Sequence, residues 1–174
     1  MANYLVAFPY MVVNEDSTLK GDVETDNDGG KVRYGLNSKA HPNLLTSGFY
    51  EESAANALLE AREHYKEWYW LPVHGDQITD QNVANKVFDQ SVPMGIDECG
   101  KLAQRTLNVL SQWTSPLMED GVIGPLTMNQ LNKANPTDFL KEFKVICGHY
   151  YNTLVLQNPK YEKYLKGWLV RLNK

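Results

Sequence analysis

The sequence predicts a mainly α-helical, water-soluble globular chain with one small irregular or β-hairpin region near its N-terminus. Three observations carry this. Apolar residues recur at steps of three and four through most of the chain, the signature of helices with one buried face. The only long polar stretch, residues 14 to 37, is rich in Asp and Gly and lacks that period. With 174 residues, 43% hydrophobic, the chain is long enough to bury a core without a metal or disulfide staple.

The elements follow in chain order. Tyr4, Leu5, Phe8, Met11 and Val12 form the apolar face of a first helix that ends beside Glu15, with Pro9 bending it. Between Glu51 and Trp70, the positions Ala54, Leu58, Ala61, Tyr65 and Trp68 make a buried stripe opposite Glu60, Glu63 and Glu67. A third stripe runs through Cys99, Leu102, Thr106, Val109 and Trp113. Asn135 as N-cap, Pro136 in the first turn and Asp138 after it start a helix whose buried side is Phe139, Phe143, Ile146, Tyr150 and Leu154.

Composition excludes several function classes. No window approaches the run of about 18 apolar residues that a membrane span requires. The 17 basic against 21 acidic side chains, net charge −4, include no basic run interleaved with aromatics, so a nucleic-acid module is not expected. The first 15 residues lack a basic leader and a small-residue cleavage site, so the expectation is synthesis in the cytoplasm without a signal peptide. His41, His64, His74 and His149 show no metal-ligand spacing, and no cofactor is expected. Cys99 and His149 would have to meet to form a thiol peptidase, but Cys99 falls on an apolar stripe, where a thiol is inert packing.

The acidic region has two candidate chemistries. Glu24, Asp26 and Asp28 alternate before Gly29 as an EF-hand loop begins, but Gly35 stands where its bidentate Glu must be, and the calcium reading fails. Glycosidic cleavage is the other: it needs a proton donor at the leaving oxygen and a second carboxylate at the cationic carbon or its attacking water. A Glu closing an apolar helix, followed by a loop carrying Asp residues, supplies both groups.

At these residues the chain resembles glycoside hydrolase family 108, which includes bacteriophage endolysins and proteins labelled secretion activators. Glu15 stands at the end of the helix that carries the family's Glu-Gly-Gly-Tyr motif, and Gly29-Gly30-Lys31-Val32-Arg33-Tyr34-Gly35-Leu36 is similar to its Gly-Gly-x-Thr-x-Tyr-Gly-Ile segment. Glu67-Trp68-Tyr69-Trp70-Leu71-Pro72 resembles Tyr-Trp-x-Pro, and Phe88-Asp89-Gln90-Ser91-Val92-Pro93-Met94-Gly95 resembles Phe-Asp-x-x-Val-Asn-x-Gly. Asp120-Gly121-Val122-Ile123-Gly124-Pro125-Leu126-Thr127 is similar to a signature of the associated peptidoglycan-binding type region, and Gly167-Trp168-Leu169-Val170-Arg171 to a closing Gly-Trp-x-x-Arg. The departures are Asp16-Ser17-Thr18 for Gly-Gly-Tyr, Val32 for Thr and Pro93 for Asn.

The resemblance implies a lysozyme-like fold, with a catalytic lobe over residues 1–93 and a peptidoglycan-binding-like helical lobe over 94–174 sharing its core. It implies hydrolysis of the β-1,4 bond between N-acetylmuramic acid and N-acetylglucosamine, with peptidoglycan strands as the partner and action at the wall or periplasm after holin-like or other export. Glu15 is then the proton donor, and Asp26 is preferred to Asp28 as second carboxylate, because Asp28 adjoins the Gly29-Gly30 turn. Asp28, Tyr34 and Trp70 are candidate substrate contacts, the two rings by stacking on sugar faces, with core packing as the rival role for each ring. The departures favour an alternative on the same fold: a non-catalytic peptidoglycan-binding or secretion-accessory protein.

Overall fold

The structure is a computed structural model that describes residues 1–26, 29–111 and 116–174. Helices dominate: α1 (Tyr4–Glu15), a short α2 (Asn43–Thr46), α3 (Ala54–Tyr65), α4 (Gln81–Met94), α5 (Ile96–Leu110), α6 (Pro125–Lys133), α7 (Pro136–Gln157) and α8 (Glu162–Asn173). The Asp/Gly-rich region forms a small antiparallel sheet of β1 (Glu24–Thr25), β2 (Lys31–Arg33) and β3 (Leu36–Asn37), in the order β1-β2-β3. The expected fold class, mainly helical and lysozyme-like with a small hairpin region, is therefore the one observed.

Helix α4 is the centre of the molecule, with α1, α5, α7 and α8 packed around it. Every residue from Val83 to Ser91 is buried, including Asn85, Lys86, Asp89 and Gln90. A helix buried all round is ordinarily apolar all round. Here the polar side chains must find partners inside the protein, because an unpaired buried charge costs several kcal/mol. Those partners come from both ends of the chain, as described below.

Local signals account for the helix limits. Asn3 caps α1 by accepting from the Leu5 N–H, and Asn135 caps α7 by accepting from Thr137 and Asp138. Pro9 lies inside α1 without ending it. Gly121, with φ of +86°, makes the Asp-Gly turn; its N–H donates to Gln104 Oε1, and its carbonyl lies where a Cβ on Gly100 would sit, only 1.9 Å away. That signature therefore seats a turn against α5.

Three stripes depart from the helical period. Leu5 on α1 and Val109 on α5 are exposed, while Ala7 is buried. Trp113 lies outside the described residues. The third departure has a clear cause: after α3, residues Lys66–Trp70 form a π-helical turn, closed by a bond from the Leu71 N–H to the Lys66 carbonyl. This wider turn rotates the register, so that Trp70, and not Trp68, enters the core. Trp68 is half-buried instead, its ring between the stacked rings of His41 and His64 at 4.2 and 4.4 Å.

A single apolar cluster runs from Ala2 to Leu172, drawing Phe8, Trp70 and Phe88 together with Leu102, Phe143 and Tyr151. A fragment ending at Gly95 removes one side of that core. It is expected to be insoluble or to melt without a cooperative transition in calorimetry, and a sharp transition in a soluble fragment would contradict a shared core.

Candidate active site

Glu15 is the last residue of α1 and lies at the rim of a pocket of about 260 Å³. Around it are Asp16, Asp22, Glu24, Lys20, Val32 and Gly35. Its carboxylate is held from two directions. Arg171 of α8 donates from Nη1 to Glu15 Oε1 at 2.5 Å. From the other side the hairpin backbone approaches so closely that a Cβ at residue 35 would lie 2.5 Å from Glu15 Oε2 and 2.8 Å from the Tyr65 hydroxyl oxygen. Only glycine fits there, which gives Gly35 a reason beyond its φ of +79°.

The hairpin reaches this position through a two-residue turn. Arg33 pairs with Leu36 across it, and Tyr34 and Gly35 both have positive φ, at +48° and +79°. This is the primed turn that matches the twist of the flanking strands. Buried Arg33 fixes the strand from below, donating to the carbonyls of Gly21, Phe49 and Glu52. The Tyr65 hydroxyl donates to the Tyr34 carbonyl at 2.9 Å.

Arg171 does not rest on Glu15 alone. Its Nε donates to Asp89 Oδ1 at 2.9 Å and its Nη2 to the Asp89 carbonyl at 3.0 Å. Asp89, fully buried on α4, also accepts from Asn14 and Gln90, and the Tyr151 hydroxyl donates to Gln90 Oε1. Lys86 lies 3.9 Å from Asp89 Oδ2, and Lys174 donates to Asn14 Oδ1. Burial opposes the charge on Arg171, but Glu15 and Asp89 outweigh it and hold the guanidinium more firmly protonated than usual. Burial also lifts the Tyr65 and Tyr69 phenols above their ordinary range, with the nearby Glu15 charge adding to the shift.

The expected site residues divide. Glu15 opens onto the pocket. Asp26 sits just past β1, its carboxylate bonded by the Asn37 amide at 3.1 Å, and is not among the residues lining the Glu15 pocket; Asp22 and Glu24 are. Asp28 lies outside the described residues. Stacking on sugar is corrected for both rings. Trp70 is 0% exposed, packed on Tyr4 and Phe88 with its indole N–H donated to Asp76, and Tyr34 is 2% exposed with its hydroxyl donated to the Ala54 carbonyl. Trp70 leaves no ring face for a ligand; Tyr34 borders the Glu15 pocket, but with its ring buried. Tyr69, half-buried and near Glu15, is the aromatic ring that sequence reasoning missed.

Asp16 explains one departure from the motif. Its carboxylate accepts from the N–H groups of Thr18, Leu19 and Gly21 and from the Thr18 hydroxyl. Burial would raise its pKa, but these bonds prevail and lower it. Asp16-Ser17-Thr18 thus builds a turn of its own in place of a glycine pair. Cys99 is buried with its thiol against the Val87 carbonyl and its pKa pushed up by burial, whereas His149 is exposed, so the two form no catalytic pair.

Residues 21–95 match the family described as Glycosyl hydrolase 108, and residues 99–173 match the one described as Predicted Peptidoglycan domain. The two matched spans follow one another along the chain, three residues apart. Glu15 precedes the first matched span, while Asp89 and Arg171 lie inside the two spans. The structure of Brucella abortus SagA is similar, with a TM-score of 0.68 and 21% identity, covering 98% of this chain and 89% of that one. That likeness establishes a shared fold. No curated protein matches the sequence. Among the described residues no helix is long and apolar enough to cross a membrane.

The network around Asp89 makes a pH-dependent prediction. Burial pushes Lys86 down to about 8, against the opposing pull of Asp89. Between about pH 8 and 10.5 the unfolded chain then holds more protons at this position than the folded one, so its contribution to stability rises with pH. Below about pH 8 the full penalty is present. Measured by urea unfolding, the difference between wild type and Lys86→Met should shift in favour of wild type as pH rises from 8 to 10; parallel pH curves would refute the assignment.

Proposed function

We propose that this protein is an N-acetylmuramidase: it hydrolyses the β-1,4 bond between N-acetylmuramic acid and N-acetylglucosamine in peptidoglycan, with Glu15 as general acid. The observation that carries the proposal is the placement of Glu15 on a carboxylate-lined pocket, gripped by Arg171 and the Gly35 backbone. Residues 1–93 would be the catalytic lobe and 94–174 a lobe that closes on it and contributes Arg171. The family matches support peptidoglycan as the polymer acted on, and work at the cell wall would follow from it.

In this reading protonated Glu15 delivers its proton to the leaving glycosidic oxygen and becomes a carboxylate as the sugar carbon becomes cationic. Arg171 stands where that new negative charge develops, so its attraction grows along the reaction. Asp89 keeps Arg171 in place throughout, bonded through Nε and Nη2. Asp22 or Glu24, which line the same pocket, would supply the second carboxylate in place of Asp26. Val32, also on the wall, offers no hydroxyl to an attacking water.

The tight Arg171 contact favours one other reading, in which Glu15 serves only as the partner of Arg171 and the protein binds peptidoglycan without cleaving it. Purified sacculi separate the two, by loss of turbidity and by the reducing ends released. Glu15→Gln keeps the shape but has no proton to give, and should lower turnover at least about a hundredfold with an unchanged circular dichroism spectrum. Asp22→Asn or Glu24→Gln should produce a comparable loss, and Asp26→Asn a smaller one. Near-normal cleavage by folded Glu15→Gln would remove Glu15 from the role, and binding without cleavage by wild type would establish the non-catalytic reading.

A further inference from the structure

The protein carries a second groove, of opposite charge to the Glu15 pocket. It lies between α7 and α8, has a volume of about 480 Å³, and is lined by Lys141, Lys144, Asn152, Leu169, Leu172 and Asn173 among others. Among the described residues no carboxylate lines it, whereas Glu15, Asp16, Asp22 and Glu24 line the first pocket. The contrast continues along the whole chain: residues 139–174 hold seven basic and two acidic side chains, and the preceding 138 hold ten and nineteen. A protein of net charge −4 thus concentrates positive charge at one end, the distribution expected where an anion is drawn in.

The groove is built for more than a bare ion. Leu172, 1% exposed, and the half-buried Leu169 give it an apolar floor, and the amides of Asn152 and Asn173 stand at its sides, each donating one N–H back to its own helix, at Gly148 and Leu169, and keeping its oxygen for a ligand's N–H. Exposed lysines alone contribute little to a single ion pair. Two lysines beside an apolar floor and two amides fit a short ligand that combines carboxylates, small aliphatic side chains and peptide groups.

Its relation to the first pocket narrows the choice. Leu169 and Asn173 flank Arg171 by two residues on either side, which places them about 160° around α8 from it. One helix, about 10 Å across, therefore carries Arg171 toward Glu15 on one side and the basic groove on the other. A branched polymer with a neutral sugar backbone and acidic peptide side arms fits both. We propose that the α7/α8 groove holds the acidic stem peptide of peptidoglycan while the glycan bearing it occupies the Glu15 pocket; the assignment of the glycan rests on the function proposed above.

The test uses the full chain and three probes: the tetrapeptide L-Ala-γ-D-Glu-meso-diaminopimelate-D-Ala, peptide-stripped glycan strands, and phosphatidylglycerol vesicles. Wild type should bind the tetrapeptide at low ionic strength, and Lys141→Glu with Lys144→Glu should weaken that binding at least tenfold. The neutral pair Lys141→Gln with Lys144→Gln should fall between. Turnover of stripped glycan should not change in either variant. Equal tetrapeptide affinity in wild type and the charge-reversed protein would overturn the proposal, as would vesicle binding that depends on the two lysines without any tetrapeptide binding. Cleavage of stripped glycan by a wild type that ignores the tetrapeptide defeats the groove assignment alone. Lysine-dependent tetrapeptide binding without cleavage of any glycan upholds the groove and defeats the muramidase reading.

Discussion

One guanidinium is shared between two carboxylates that arrive on different helices, and the positions of α1, α4 and α8 all depend on it. Arg171 comes from the last turn of α8, Glu15 from the last turn of α1, and Asp89 from the middle of the buried α4. Each of these charges would be costly alone at its depth, and removal of one partner from such a group typically costs about 3–5 kcal/mol. The arrangement does not need to be a net source of stability to matter. It penalises every packing of α8 that leaves Asp89 unpaired, and so it fixes where the C-terminal helix sits relative to the end of α1.

The same constraint joins the two halves of the chain in one site. The first family match ends at residue 95 and the second begins at 99, yet the side chain closest to Glu15 from outside its own half is Arg171, 156 positions away. The hairpin supplies the opposite wall. Its turn at Tyr34-Gly35 presses backbone against the Glu15 carboxylate, and Arg33 and Tyr65 pin that turn from beneath. A carboxyl group confined between a fixed cation and a fixed backbone has little freedom to reorient, which is the preorganisation that proton delivery requires.

Much of this was legible in the residues, and the failures have physical causes. The N-cap and first-turn proline at Asn135-Pro136 located α7 correctly, and the Asp/Gly-rich stretch did become the small sheet. Glu15 was singled out by its place at the end of an apolar helix before an acidic loop, together with the resemblance to the glycoside hydrolase motif. Trp68 was put on the buried stripe, and Trp70 left between core and cleft, because a straight 3.6-residue period cannot anticipate a π-helical turn, whose inserted residue rotates everything after it. Asp26 was preferred to Asp28 for its distance from the turn, and Asp22 and Glu24 were not weighed; which carboxylates line the pocket follows from the register of a strand only two residues long, and that register is spatial. Arg171 and Asp89 did leave a signal: both belong to motifs on which the resemblance rests, and Arg171 also interrupts the apolar run Leu169-Val170-Arg171-Leu172, while Asp89 follows Val87-Phe88. Two opposite charges of that kind, far apart in sequence, point to a buried pair.

The central claim is that Glu15 and Arg171 are energetically coupled across the two halves of the chain. A double-mutant cycle measures this directly, with the unfolding free energies of wild type, Glu15→Gln, Arg171→Met and the double variant compared under one set of conditions. The account predicts a coupling of about 1–3 kcal/mol, because Arg171→Met leaves Glu15 without its cation, while Glu15→Gln leaves Arg171 with Asp89 alone. Effects that add to within about 0.5 kcal/mol would show that the two residues are independent, and would contradict the view that the C-terminal helix completes the site around Glu15.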